Sequence, residues 1–446
     1  MKKLLGLLIF LIIIAICAAG GWFAYFLLEG QAPTLQVEPR PKVLGRSFHL
    51  EVQAQDTRSG LSTIAVSLIQ KGKSFDLVPK VFPVEQWWRG SGIKDASASW
   101  DIKPLEIGLS QGNAILRISV TDSSFRQGLR GNSTVLEIPV EIDLTPPRIA
   151  LKSLVHNIKV GGSGLVSYSL SEESVRSGVK IDDRFFPGYP DPRGDKGTYV
   201  ALVAIPFDNP RPKLFAIEAE DKAGNTSRYF VPHRIFKRKK VSDVIRITDR
   251  FLERKMPDFQ MRYPELTGDL ITVFLQVNKK LRSENNARIR QICNKGSEQM
   301  LWRGAFKRLP HSAQRAGFAD FRSYYYKGKK IDTAYHLGVD FASVAHAEVP
   351  AGNDGVVVFA DYLGIYGNTV IIDHGLGLFS TYSHLSQILV NKGQQVKKGQ
   401  IIGRTGTTGL AGGDHLHYGM LISGVFVNPI EWLDRKWIMD HIIANM

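Results

Sequence analysis

An uncharged run from Leu4 to Leu28 governs everything that can follow it. Its 25 residues are enough to cross a bilayer with some tilt. A lipid core accepts such a segment only as a helix, because no water is present to satisfy exposed backbone groups. A cleaved signal peptide has a shorter apolar core and a small-x-small exit. Ala18-Ala19-Gly20 imitates that exit, but the run continues through Trp22 to Leu28. Lipid attachment at Cys17 is disfavoured by Ile16, which stands where a small residue is usual. The segment is therefore expected to remain as a single-pass anchor. Lys2 and Lys3 precede it, and no Lys or Arg follows until Arg40. The positive-inside rule then leaves a short cytoplasmic tail and sends the rest of the chain across the membrane. A tether of this kind is expected at the inner (cytoplasmic) membrane, with the bulk of the chain periplasmic.

Beyond the anchor (residues 1–30) the patterning is mainly β, and the length calls for several domains. Residues 31–145 read as a β-sandwich module, with strict alternation in Ser47–Ala54 and Ala114–Val120 and frequent turn residues between such runs. Thr145-Pro146-Pro147 is a stiff boundary. A second β-sandwich module is expected over 146–236, with Leu214–Glu220 as its clearest strand. Gln53-Ala54-Gln55-Asp56-Thr57-Arg58-Ser59-Gly60 resembles Glu218-Ala219-Glu220-Asp221-Lys222-Ala223-Gly224-Asn225, an edge common in bacterial immunoglobulin-like modules. A stable sandwich corner explains it as well as a partner-binding arm does. Residues 237–303 change character: Val244, Ile247, Phe251 and Leu252, then Ile271, Phe274 and Leu275, recur at helical spacing. A helical connecting region is expected there. Residues 304–446 turn Gly-rich and β-rich again, with Val356–Ala360, Thr369–Asp373 and Leu378–Tyr382 as successive strands of a compact antiparallel sheet.

The formal net charge of +15 favours polyanions without choosing among them. The densest basic run, Phe236-Lys237-Arg238-Lys239-Lys240, reads as a solvated linker. An exported chain is expected to meet anionic lipid or an anionic wall polymer, and no nucleic acid. Only two cysteines are present, Cys17 and Cys293, and no CxxC pair. Any metal must therefore be held by nitrogen and oxygen.

Four of the 11 histidines lie in three local patterns of the last domain. His336-Leu337-Gly338-Val339-Asp340 supplies nitrogen and oxygen donors around a Gly that lets the backbone turn and approach closely. His415-Leu416-His417 sets two imidazoles on one face of a strand, with Leu416 toward the core. Tyr382-Ser383-His384-Leu385 closes a predicted strand, with Tyr382 facing away from Ser383 as a packing residue. A catalytic zinc takes three protein ligands and leaves a position open, so two histidines and one aspartate would complete a site and leave two histidines for proton transfer. His346 and His374 are weaker candidates, the latter read as a turn residue. The helix-borne H-E-x-x-H pattern is absent from the sequence.

From about Tyr325 to Leu433 the chain resembles the lysostaphin/LytM-type zinc metallopeptidases. The resemblance rests on His336-x-Gly338-x-Asp340, Gly367–Gly375, Tyr382-x-His384-Leu385, Gly399-Gln400-x-Ile402-Gly403-x-Thr405-Gly406 and Gly413–Tyr418, in that order. It implies Zn2+ bound by His336, Asp340 and His417, and catalytic roles for His384 and His415. It also implies peptide cross-links of peptidoglycan as substrate, with the β modules available to envelope partners. Leu410–Asp414 is longer than in many members, which leaves that loop's shape open. Some members lack ligands and act as activators of other wall enzymes, so a non-catalytic regulator of a wall amidase is the alternative. Val396–Gln400 also resembles a lipoyl-type hairpin, but such hairpins carry no ordered metal ligands.

Overall fold

The computed structural model describes residues 2–84, 91–154 and 156–446. Its first element is the helix Lys2–Leu27, and within it Lys3–Tyr25 is long and apolar enough to cross a membrane. No other helix among the described residues meets that test. The remainder is mainly β. The chain divides into two compact units, Met1–Pro146 with Glu220–Thr226, and Pro147–Ala219 with Ser227–Met446.

In the first unit two sheets close on one core. One orders Thr34–Gln36, Phe48–Gln55 and Asp95–Ile102, and the other is six-stranded around Leu61–Gln70 and Gly112–Asp122. Buried and exposed positions alternate along Phe48–Gln55, so Leu50 and Val52 share one buried cluster with Leu116 and Ile118 of the other sheet. That alternation is what a sheet with one wet face requires.

The second unit contains another pair of four-stranded sheets. One orders Ile149–Leu151, Ser163–Leu170, Thr198–Ala204 and Tyr189–Pro190, and the other is built on Arg176–Ile181 and Phe215–Glu220. Its core does not stop at residue 236. Val166, Val200 and Ile217 belong to the same buried cluster as Phe341, Ile371 and Trp432. The joint is polar as well as apolar. Glu431 Oε2 accepts from the Ser163 backbone N–H at 3.0 Å, and Trp432 Nε1–H donates to Ser163 Oγ at 3.1 Å. Phe207 packs on Tyr335 with ring centroids 5.0 Å apart.

The helical region begins later than its periodicity suggests. Val244 and Ile247 lie on a strand, Ser242–Ile247, which pairs in parallel with Phe321–Tyr326. Their three-residue spacing fits one face of a helix, but pairing with a strand some eighty residues on overrides it. Helix Asp249–Arg262 then starts at a cap, the Thr248 hydroxyl accepting from the Phe251 N–H at 3.2 Å. Leu270–Gln276 and Arg282–Ile292 follow, joined by a π-helical turn, Val277–Leu281. The basic run is not wholly solvated either. The Arg238 guanidinium donates to the carbonyls of Phe318 and Ala319.

The final sheet positions the histidines. Its order is Ala313–Ala316, Val339–Ala342, Leu416–Ile422, Leu378–Leu385, Asn368–Asp373, Gly355–Tyr362 and Gln395–Val396, with Val425–Val427 also paired to Leu416–Ile422. Neighbouring strands in this order run antiparallel. Asp340 and Ser383 sit opposite His417 on either side, so the chain's separate motifs meet at one point of the sheet.

Candidate metal centre

Three donor atoms converge at that point. His336 Nε2 lies 2.9 Å from Asp340 Oδ1 and 2.8 Å from His417 Nδ1, and His417 Nδ1 is 2.9 Å from the same Asp340 oxygen. The orientation of each donor has a local cause. His336 Nδ1–H donates to the Gly317 carbonyl at 2.8 Å. A carbonyl can only accept, so the hydrogen sits on Nδ1 and Nε2 presents its lone pair. Arg322 Nη2–H donates to Asp340 Oδ2 at 2.9 Å, which turns Oδ1 toward the two rings. Gly338 leaves the space these rings need, because a Cβ there would lie 2.6 Å from His417 Nε2.

The set fits a cation. Three lone-pair donors this close repel one another unless a positive charge lies between them. Donors at about 2.0–2.1 Å from a tetrahedral ion are separated by roughly 3.3 Å, close to the spacing seen here. His336, Asp340 and His417 are all buried and form a group able to hold a metal ion. Burial pushes the Asp340 carboxyl up, but His336, His415 and His417 outweigh it and hold the group well below the carboxylate range. Burial lowers the His417 imidazole to about 4, so the ring is neutral and free to ligate near neutral pH.

His384 and His415 stand beside this group, with ring centroids 4.8 Å apart. Each donates from Nδ1–H to a backbone carbonyl, Thr408 at 2.9 Å and Gly413 at 2.8 Å, and so keeps its Nε2 available. Their electrostatics differ. Burial, helped by the two neighbouring rings, pushes His384 well below the usual imidazole range. Burial alone would lower His415 too, but Asp340 reverses this and raises it. His384 has φ +63°, a left-handed backbone at the end of strand Leu378–Leu385 that aims its ring across the sheet. His415 lies just before strand Leu416–Ile422 and is held by a bridge to Gly406.

The five residues line one cavity of about 310 Å³. Sequence patterns missed its other walls. Arg282 and Tyr366 reach it from distant parts of the chain, and neither belongs to a local motif. Leu410, Ala411 and Gly412, from the lengthened loop, form part of the rim. That loop is seated on helix Asp249–Arg262, where Arg254 donates to the Gly412 carbonyl at 2.9 Å and buried Lys255 to that of Gly409 at 3.1 Å. The weaker candidates stand apart. His374 is a fully buried structural residue bonded to Asp354 and Ser380, and His346 is exposed. Tyr382 packs in the core, its hydroxyl accepting from the Gly352 N–H at 2.7 Å.

The sequence pattern of peptidase family M23 matches residues 334–429, a span that contains all five residues. Residues 334–429 form an M23 peptidase domain. Over 184 residues the chain is 34% identical to peptidoglycan DD-endopeptidase ShyA of Vibrio cholerae, covering 37% of this chain and 42% of that protein. Over 96 residues it is 42% identical to DD-carboxypeptidase/endopeptidase Mpg of Neisseria meningitidis, 22% of either chain. The chain thus spans less than half the length of these relatives. The catalytic domain of the antimicrobial peptidase lysostaphin from Staphylococcus simulans is 28% identical, with 29% of this chain and 98% of that domain covered and a TM-score of 0.26. The region outside residues 334–429 supplies Arg282, Tyr324 and Phe251 of helix Asp249–Arg262 to the cavity wall, while Tyr366 comes from within that span.

Proposed function

We propose that this chain is a membrane-anchored zinc metalloendopeptidase that hydrolyses peptide cross-links of peptidoglycan. The observation that carries the reading is the pairing of a convergent His336–Asp340–His417 donor set with two histidines beside it whose Nδ1–H groups are bound to backbone carbonyls, His415 Nε2 lying 3.6 Å from Asp340 Oδ1. The relatives named as peptidoglycan endopeptidases supply the substrate class. The apolar helix Lys3–Tyr25 supplies a tether, and an extracytoplasmic, periplasmic location is the one in which tether and substrate meet.

In this reading His336 Nε2, Asp340 Oδ1 and His417 Nδ1 hold the metal. Zinc, when bound, supplies a Lewis acid for the scissile carbonyl and the attacking water. Arg322 and the Gly317 carbonyl keep the ligand atoms aimed, the one through Asp340 and the other through His336. His384 and His415 handle protons. One accepts a proton from the attacking water, and that proton leaves on the amine when the C–N bond breaks. The other donates to the oxygen on which charge develops. Two rings with opposite displacements from the ordinary imidazole range suit such a division of labour.

Digestion of purified cross-linked muropeptides by the full chain tests the proposal. Cleavage is expected, and His415→Ala should abolish it while about one zinc per chain is retained. If the wild-type protein holds zinc, cuts none of the muropeptides and instead stimulates a wall amidase, the regulator reading replaces this one. The clamped helix Asp249–Arg262 against the cavity rim is the observation that keeps that second reading specific.

A further inference from the structure

In the first unit, three carboxylates converge where the chain leaves the apolar helix. Glu29 follows helix Lys2–Leu27, Asp56 follows strand Phe48–Gln55, and Asp122 ends strand Gly112–Asp122. Oxygens from the three lie within 4.8 Å of one another, and the residues are only 3%, 3% and 2% exposed. Their partners are almost all backbone amides. Asp56 Oδ2 accepts from the N–H of Gly60 at 2.6 Å and of Arg58 at 3.1 Å. Asp122 Oδ1 accepts from the N–H of Ser124 at 3.0 Å and of Asn132 at 2.8 Å, and Oδ2 from Asn132 Nδ2 at 2.8 Å. Glu29 Oε2 accepts from the Ser59 N–H at 2.6 Å. Among the described residues no lysine or arginine forms an ion pair with any of the three.

A second observation points to a ligand. Glu29 Oε1 is buried with no hydrogen-bond partner, and so is the hydroxyl of Ser59, the residue that holds the other Glu29 oxygen. Buried polar atoms are nearly always satisfied, and an orphaned carboxylate oxygen beside two further carboxylates is an acceptor waiting for positive charge. Burial, with Asp56 and Asp122 reinforcing it, raises the Glu29 carboxyl above its ordinary range.

We propose that Glu29, Asp56 and Asp122 bind a divalent cation, and that the cation is Ca2+. The set is all oxygen, where zinc favours nitrogen and sulfur. It is a cage of protein carboxylates, where Mg2+ keeps most of its water; Ca2+ accepts about 6–8 oxygens in flexible geometry. Bound there, the ion joins Glu29, two residues beyond the apolar helix, to two loops of the sandwich, and fixes the direction in which the module leaves that helix.

Calorimetric titration of the chelator-treated full chain in detergent with CaCl2 tests this, together with amide exchange. One equivalent should bind with a Kd of about 10⁻³ M or tighter, and exchange of the Ser59, Gly60 and Ser124 amides should slow. Glu29→Gln, which keeps size and removes charge, should weaken binding by about tenfold or more. Failure of the wild-type chain to bind Ca2+ at about 10 mM overturns the proposal. So does binding that survives unchanged in Glu29→Gln and Asp56→Asn. Should Glu29→Gln not fold, the wild-type titration and the exchange of those three amides decide the matter alone.

Discussion

The two β-sandwiches use the same kind of strand and finish their cores differently. The first is filled by its own residues, from Val37 to Ile142. The second is not, because its buried cluster runs on through Trp302, Phe341 and Trp432 into the M23 domain. The difference teaches that similar modules along a chain can have unequal standing. One is expected to tolerate change without disturbing the His336–Asp340–His417 group. The other is part of the scaffold that keeps His336, Asp340 and His417 within 2.9 Å of each other.

The largest expected effect lies inside the scaffold. His336→Ala should remove the metal and all muropeptide cleavage, while exchange of the Leu61–Gln70 and Gly112–Asp122 amides stays at wild-type rates. Metal analysis and exchange on one sample check both halves. Next come paired core truncations. Trp432→Ala should cost about 3–5 kcal/mol and weaken metal binding, because Trp432 packs on Trp302 and bonds Ser163. Leu116→Ala should cost about 2–5 kcal/mol in the first unit and leave metal content and cleavage unchanged. Lost cleavage in Leu116→Ala would break the comparison. Gly338→Ala should lower metal affinity by about 10–100-fold and also strain the sheet, as its Cβ would lie 2.6 Å from His417 Nε2 and 2.7 Å from the Tyr418 carbonyl oxygen; competition with a chelator reads the affinity.

The last effect is a pH dependence at the joint. Burial raises the Glu431 carboxyl to about 7, against the bonds from Ser163, which lower it. The fold therefore binds that proton more tightly than the unfolded chain does. Its stabilisation is complete below about pH 4.5, declines as pH rises to about 7, and is then constant. The decline amounts to up to about 3 kcal/mol. Glu431→Gln should flatten it and stabilise the second unit by about 1–3 kcal/mol at pH 8, measured by denaturant unfolding at both ends of the range.

Legibility from sequence followed burial. Phe48–Gln55 and Gly112–Asp122 announce themselves because one face is wet, so alternation survives in the residues. Leu378–Leu385 and Leu416–Ile422 are buried at every position, and only their β-branched and aromatic content and flanking glycines mark them. The convergence of His336, Asp340 and His417 is legible because they sit in short motifs that a Gly or a strand brings together. Arg322, Arg282 and Tyr366 are not, since what recruits them is tertiary packing with no local signature. Ser242–Ile247 was misread for the same reason: its partner strand is distant, and a three-residue apolar spacing suits either element. Arg238 stood in a run that looked solvated, and only the fold shows the carbonyls it serves.

The left-handed backbone of His384 bears on how an inactive form of this protein should be made. Alanine there would remove the imidazole and also force a side chain with little tolerance for positive φ, so a dead enzyme and a bent strand would look alike. Asparagine accepts that conformation readily. Under the proposed function His384→Asn is therefore the cleaner substrate trap, expected to keep the cleft's outline while silencing its chemistry and to suit capture of a cross-linked peptide for crystallography.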